Sequence, residues 1–550
     1  MVPNSHTTGK KKERGRDSAH QRFRDEIVRL HRQIFRRNRK RIHASVQGYS
    51  ANFLAYERRY ARYVRGYQRR VDGAELDQRV AGAHVVYVGD YHTLPQAREA
   101  FSRLLRRTPQ ERPLTIALEL FQGRHQHFID AFLRGAMDED ALLRHIGYHP
   151  HSMLGDWESF KPILELARTR GASVVAIDSS GRGTHRNPLI NRDRYAAKRI
   201  AKQLNDHPEA LLLTLVGELH IAPPHLPTQV RSLMTRNGLR DLIIYQNCEK
   251  IYWEIEKKGL EHDVNIVRVA KGQYCLINTP PIVCQQSFLN WLDMDEDMGR
   301  LDAPEQNFHE YTQIIATFFD LPIDNALDEV ELATVADLSF LERLQRRGDF
   351  SASDMRHIRR QILDSQSLYI PRARMVYLGD LSTNHAAEEG THFLRHVCAG
   401  TQSEPRLLVD AFYARCLEEA LGFLGSKLIN HRRRCATIAS FERILRSRNS
   451  SARDKQLARF VTMHGRLEEG ARVRGMAAVY GCSPDMFNAV THAVGYRLGN
   501  RLYYGLLSGE LDKQEVRKLF FKNFAEEGAA LTDFLYYNTR VKGVIEPTFF

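Results

Sequence analysis

The 550-residue chain has no run of 18 consecutive apolar residues, no CxxC pair and no apolar stretch near its start. The first absence excludes the simplest membrane-spanning helix. The seven cysteines, Cys248, Cys275, Cys284, Cys398, Cys416, Cys435 and Cys482, are odd in number and widely spaced. That spacing argues against a disulfide framework or a structural zinc site and for a reducing compartment. The opening MVPNSHTTGKKKERGRDS is polar and carries no lipobox-like cysteine, so a cytoplasmic location is expected.

What is present is an uneven charge. The formal net charge is +14, yet Met1 to Arg70 hold 20 Lys+Arg against 5 Asp+Glu, and the remaining 480 residues hold 60 against 61. The basicity belongs to an N-terminal arm, placed at residues 1–75, with a disordered lead-in to about residue 20. Ile27, Leu30, Ile34 and Phe35 fall at helical spacing within it, and FLAYERRYARYVRGYQRR interleaves tyrosine with arginine on a second helix. Such a surface suits nucleic acid or an anionic membrane. The competing reading, which we prefer, is a solvated helical arm whose tyrosines pack on the next domain, because no nucleic-acid-binding motif accompanies the charge.

After Gly82 short apolar runs alternate with amphipathic segments. HVVYVG, LTIALELF, SVVAIDSS, LLLTLVGE and LIIYQNC read as strands buried on both faces, with NIVRVA and YCLINT completing one edge. This pattern predicts an α/β domain over residues 80–292, with a parallel sheet and flanking helices. The acidic stretch Asp293–Asp302 reads as a linker, and residues 303–550 as a mainly helical domain. Within that domain MVYLGDLSTNH echoes HVVYVGDYHTL, with Ser382 in the place of His92, a weak sign of duplication.

Ligands of an open parallel sheet bind at the carboxyl ends of its strands. There the sequence places Gly89-Asp90-Tyr91-His92, then Glu119, then Asp178, then Gly217-Glu218-Leu219-His220. In each G-x-x-H the glycine is expected to turn the chain sharply, so that the histidine points back over the sheet edge. Two imidazoles with carboxylates suit a divalent transition metal or can activate a water. The bland alternatives are a helix cap for His92 and a loop hydrogen bond for His220. Glu119, on an apolar strand, needs a buried partner. Asp193 reads as a helix cap, and Arg182, Arg186 and Arg192 as partners for an anionic group. His125, His127 and His225 make the rim dense in histidine.

The run VVYVGDYHTLPQ, then IALELF, AIDSS with a later NRD, and VGELHIAPPHLP, resembles the ChaN-like family of haem-binding uptake proteins, over about residues 80–290. That family sits in a superfamily with Tiki, TraB and erythromycin-esterase-like proteins. The resemblance implies either haem binding, commonly through a tyrosine and in a homodimer, or metal-dependent hydrolysis. For hydrolysis it carries over His92, His220, Glu119 and Glu218 as catalytic groups. For a bare metal it carries over Asp90, His92, Glu119 and His220, and for a bound haem or other cofactor Tyr91, Asp178 and Arg192. Tyr148 and Tyr195 are further candidate haem ligands. The first motif reads GDYH where the family usually has GExH, so a shorter carboxylate must reach farther, and Thr93 follows the histidine. A CxxCH attachment signature is absent. Haem or a divalent metal is thus the expected cofactor, and a small molecule the expected partner. A non-catalytic intracellular interaction protein is the remaining alternative.

Overall fold

The computed structural model describes residues 6–548 apart from 46–49, 150–155, 180–187, 236–237, 297–301, 324–325, 335–336, 338, 380–381 and 401–405. Two compact units result: residues 37–295 with 547–550, and residues 1–36 with 296–546. The basic N-terminal residues are divided between them.

The first unit is built on an eight-stranded sheet. Its strands are β1 (Arg69–Val71), β2 (Val85–Asp90), β3 (Leu114–Gln122), β4 (Ser173–Asp178), β5 (Leu211–Gly217), β6 (Asp241–Gln246), β7 (Ile266–Ala270) and β8 (Gln273–Leu276). Their spatial order is β1-β7-β8-β6-β2-β5-β3-β4. The strands from β8 across to β4 are parallel. The apolar runs are continuous because alternate residues serve opposite faces. Val86, Ile116 and Leu213 join one core, while Val85, Ala117 and Leu212 join the other.

The edge departs from the all-parallel expectation, since β7 runs antiparallel to β8 and β1 antiparallel to β7. Only Lys271 and Gly272 separate β7 from β8, and a connection that short can join only antiparallel strands. Gly272 sits at φ +71°.

Of the helices, α1 (His6–Ser45) begins well inside the lead-in that composition marked as disordered. Its Lys, Arg, Glu and Gln residues are good helix formers, and no proline falls within it. Phe23, Ile27, Ile34 and Phe35 of α1 are buried, and the Phe23 ring meets Phe318 at 5.6 Å. Next come α2 (Ala51–Tyr63), α3 (Pro95–Arg107) and α4 (Pro188–Asp206). Of the acidic stretch read as a linker, the residues to Glu296 end one helix and Asp302 starts another, and the division between the two units falls within it.

The second unit is mostly helical. It contains α5 (Thr383–Ala399), α6 (Leu408–Ile429) and α7 (Pro484–Ser508). It also carries a three-stranded sheet of β9 (Glu331–Thr334), β10 (Ser367–Ile370) and β11 (Met375–Leu378). The echo segment supplies β11 and leads into α5, where the Ser382 hydroxyl caps the helix by accepting from the Asn384 amide at 3.2 Å. Asp380 of the echo lies outside the described residues.

Gly272→Ala is expected to destabilise the first unit by about 1 kcal/mol, because the left-handed turn conformation disfavours a Cβ. A urea denaturation midpoint lowered at unchanged slope is the result that checks it.

Candidate functional site

Neighbouring strands β2, β5, β3 and β4 bring their carboxyl ends side by side. Groups more than a hundred residues apart in sequence therefore meet on one rim. Glu119 is at its centre. The regular pairing of β3 stops at Leu118, on both the β4 and the β5 side, so Glu119 is the first residue released from the ladder. Its Oε2 accepts from the Gly217 amide at 2.5 Å, and its Oε1 accepts from Arg192 Nη2 at 2.5 Å. The two imidazoles flank it, with His92 Nε2 at 3.8 Å from Oε2 and His220 Nε2 at 3.8 Å from Oε1.

Each ring is held from behind. His92 Nδ1 donates to Asp90 Oδ2 at 3.0 Å, and His220 Nδ1 donates to Asp193 Oδ1 at 2.6 Å. Both aspartates are buried. A carboxylate on Nδ1 fixes the tautomer and leaves the Nε2 lone pair facing the rim. His92 is thus no cap for α3, and His220 bonds outside its own loop. Asp90 stands on the Nδ1 side of His92, so it orients that ring and is not a donor beside Nε2. Its other carboxylate oxygen is buried without a hydrogen bond.

Asp193 is not the expected cap. The helix α4 starts five residues earlier, at Pro188, which carries Asp193 inward beneath His220. Arg192 turns two of its nitrogens inward, its Nε donating to Asp178 at 3.0 Å and its Nη2 to Glu119. Arg182 and Arg186 lie outside the described residues.

Two supports were not singled out as site residues from the sequence. Tyr56 of α2 donates its hydroxyl to Asp193 Oδ2 at 2.7 Å, lies 3.0 Å from His220 Nδ1, and stacks on His225 at 3.7 Å between centroids. Tyr60, one turn on, donates to Glu218 Oε2 at 3.4 Å. The i, i+4, i+8 series Tyr56, Tyr60, Val64 is buried and was the available signal. The other is Arg98 on α3, fully buried, which donates to the His92 carbonyl and to Ser159 Oγ at 3.0 Å, with Asp90 Oδ2 3.8 Å away.

His225 donates from Nδ1 to the Leu219 carbonyl at 2.6 Å, bracing the loop that carries His220. His125 accepts from Arg124 at 3.2 Å, and His127 packs on Phe128 at 3.8 Å, so their contacts lie with neighbours in sequence. Tyr91 is half-buried directly after β2.

The glycines of the two G-x-x-H motifs do different work from that expected, since neither Gly89 nor Gly217 has a positive φ. They permit close approach. A Cβ at Gly217 would come within 2.9 Å of His92 Nε2, and one at Gly89 within 3.3 Å of the Glu218 Cα.

Electrostatics separates the two glutamates. Burial alone would raise the Glu119 pKa, but His220, Arg192, His92 and the Gly217 amide outweigh it and bring it to about 2. For Glu218, burial outweighs His92 and the Tyr60 hydroxyl and pushes it up to about 7. For His92, burial is overcome by Asp90 and Glu119, which raise its pKa. Burial also raises Asp178 despite Arg192. A small cavity of about 10 Å³ opens between Glu119, Asp178, Arg192, Asp193 and His220. That is room for about one water molecule.

Residues 76–185 match the family described as haem-binding uptake, Tiki superfamily, ChaN. The matched span contains β2, β3 and β4, and with them Asp90, His92, Glu119 and Asp178, whereas Glu218 and His220, just after β5, lie beyond it. No curated protein matches the chain. Among solved structures, the ChaN protein of Campylobacter jejuni, titled for cofacial haem binding, is similar at 12% identity. The match covers 32% of this chain and 87% of that one with a TM-score of 0.26, too low for the overlay to inform the site.

Two outcomes follow from this geometry. Gly217→Ala should push the His92 ring off Glu119 and cost about 1–3 kcal/mol by overpacking, read as a lowered Tm. Glu218 has its folded pKa raised above the ordinary 4.5, so its stabilising contribution is complete below about 4.5 and is lost as pH rises through about 7. Glu218→Gln should therefore leave Tm little changed near pH 4.5 and raise stability at pH 8. The gain is on the order of 2 kcal/mol after discounting for its partial exposure.

Proposed function

We propose that the α/β unit binds a metal-bearing small molecule, haem or a bare divalent transition metal, at the rim formed by His92, Glu119 and His220. One observation carries this reading. Two imidazoles, each pinned through Nδ1 by a buried aspartate, present Nε2 atoms 3.8 Å from the same carboxylate. Neutral imidazole with a carboxylate behind it is the usual donor arrangement for a transition metal. Such an ion, when bound, supplies Lewis acidity or, in haem, redox chemistry. The family match over residues 76–185 favours haem among these ligands.

A porphyrin does not fit the 10 Å³ cavity beside Arg192, so in this reading it would be held by the more exposed residues of the rim. These are His92, with 21% of its side chain exposed, and the half-buried Tyr91, which emerge after β2. Asp90, Asp193, Arg98 and Tyr56 orient the donors. Arg192 neutralises Glu119 and Asp178, which keeps the acidic centre compact.

A second reading, acid–base hydrolysis, is favoured by the water-sized cavity and the paired His–Asp arrangements. In it His92 or His220 takes a proton from a water held at Glu119, and Glu218, poised near neutral pH, serves as the second acid–base group.

Titrating the purified full chain with haem tests the first reading. A saturable Soret band is expected, lost or shifted in His92→Ala or Tyr91→Phe and retained in Tyr148→Phe and Tyr195→Phe. A chain that gives no such band and retains no metal at the rim overturns it. Ester or amide hydrolysis abolished by Glu119→Gln would instead establish the second.

A further inference from the structure

The helical unit holds a second constellation, independent of the rim. One donor atom each from Glu388 on α5, Glu419 on α6 and His492 on α7 lie within 4.8 Å of one another. Both carboxylates are buried. Three helices can bring such groups together only if their backbones approach closely, and glycines allow it. A Cβ at Gly495 would stand 2.5 Å from the Glu419 Cβ, and one at Gly422 2.4 Å from His392 Nε2 and 3.1 Å from the Glu388 Cγ.

His492 Nδ1 and Glu419 Oε2 are 2.9 Å apart. That is a hydrogen bond in the metal-free chain. It is also close to the edge, about 3 Å, between two adjacent ligands of a six-coordinate ion at about 2.1 Å from each. His392, one turn after Glu388, lines the same cavity beside this group of three. Its Nδ1 is held by Glu389 Oε2 at 3.1 Å, and Glu389 is itself fixed by the Ser367 hydroxyl at 2.7 Å and the Tyr369 amide at 2.8 Å. Its Nε2 is buried without a hydrogen-bond partner. The Glu389 carboxylate thus fixes the ring and turns its other nitrogen away from Glu389.

The competing account is a buried ion-pair network. Arg433 lies 2.7 Å from Glu388, whose other oxygen accepts from the Tyr496 hydroxyl, and Arg415 lies 2.7 Å from Glu419. These pairs offset part of the acidic charge, yet they leave the His392 nitrogen unexplained. They also leave unexplained the cavity of about 650 Å³ onto which Glu388, Glu419, His392 and His492 all open. Arg395 lines the same cavity at 5% exposure, with Nε and Nη2 making no hydrogen bond. Its guanidinium carbon stands 5.1 Å over the Phe524 ring, so this side of the cavity is cationic and the ion's place is on the side of Glu388 and Glu419.

We propose that Glu388, Glu419 and His492 bind a divalent transition-metal ion in the helical unit, with the cavity as its access. The mixed imidazole and carboxylate set suits zinc, manganese, iron or cobalt, and not calcium or magnesium.

Cobalt(II) titration of the chelator-stripped full chain tests this, followed by visible absorption and metal analysis. A His92→Ala, His220→Ala background removes any contribution from the rim. That background is expected to keep one cobalt equivalent, and adding Glu419→Gln or His492→Gln should weaken it at least a hundredfold. If the background fails to fold, the same substitutions in the wild-type chain should remove one equivalent. Cobalt should also raise the Tm of the parent and leave that of His492→Gln where it stands without cobalt. No bound cobalt outside the rim, or binding that both substitutions leave unchanged, overturns the proposal.

Discussion

The α/β unit turns on one buried carboxylate. Glu119 is the first residue of β3 to leave the sheet ladder, and an unpaired charge at that depth would be prohibitive. It is tolerated because the Gly217 amide and Arg192 each supply a hydrogen bond at 2.5 Å while two imidazoles stand beside it. Every other placement on the rim follows. Arg192 must face inward, Asp178 comes with it, and the histidines need aspartates behind them to keep their Nε2 atoms turned toward Glu119. Such a centre stores order before any ligand arrives, which is what a binding or proton-transfer site requires.

Much of this was legible in the chain. The strands announce themselves because burial on both faces removes the polar alternation of a one-sided sheet, and their carboxyl ends name the rim. The antiparallel edge was not foreseen, because NIVRVA and YCLINT carry no direction of their own; the two-residue turn at Lys271-Gly272 sets it. Asp193 was misread because its place near a helix start suggested a cap, while the true start at Pro188 turns it inward. Arg192 looked like a cation awaiting an anion, and its partners were already in the chain. Tyr56 and Arg98 were hidden for opposite reasons. The tyrosine sits in a segment whose arginines dominate the composition, and the arginine sits on a helix whose apolar face gives no reason to expect a charge.

The helical unit shows the same habit of thought in different geometry. Carboxylates and imidazoles are again brought to one point, this time by glycines that let helices touch, and again each imidazole is held by a carboxylate on one nitrogen. In sequence these residues read as ordinary helix surface, since Glu and His are common there and their convergence depends on packing that no local pattern encodes. The weak echo between the two G-D segments marks β2 and β11, both strands that lead toward a helix, and Ser382 takes a capping role where His92 faces a carboxylate.

The central claim is that the rim of the α/β unit receives a metal-bearing ligand. Iron-edge anomalous diffraction from crystals of the haem-loaded chain tests it most directly. The account predicts an iron peak at the carboxyl ends of β2 and β5, within coordination distance of Tyr91 or His92. An iron peak elsewhere on the molecule, with both imidazoles still turned to Glu119 and nothing bound beside them, would contradict it.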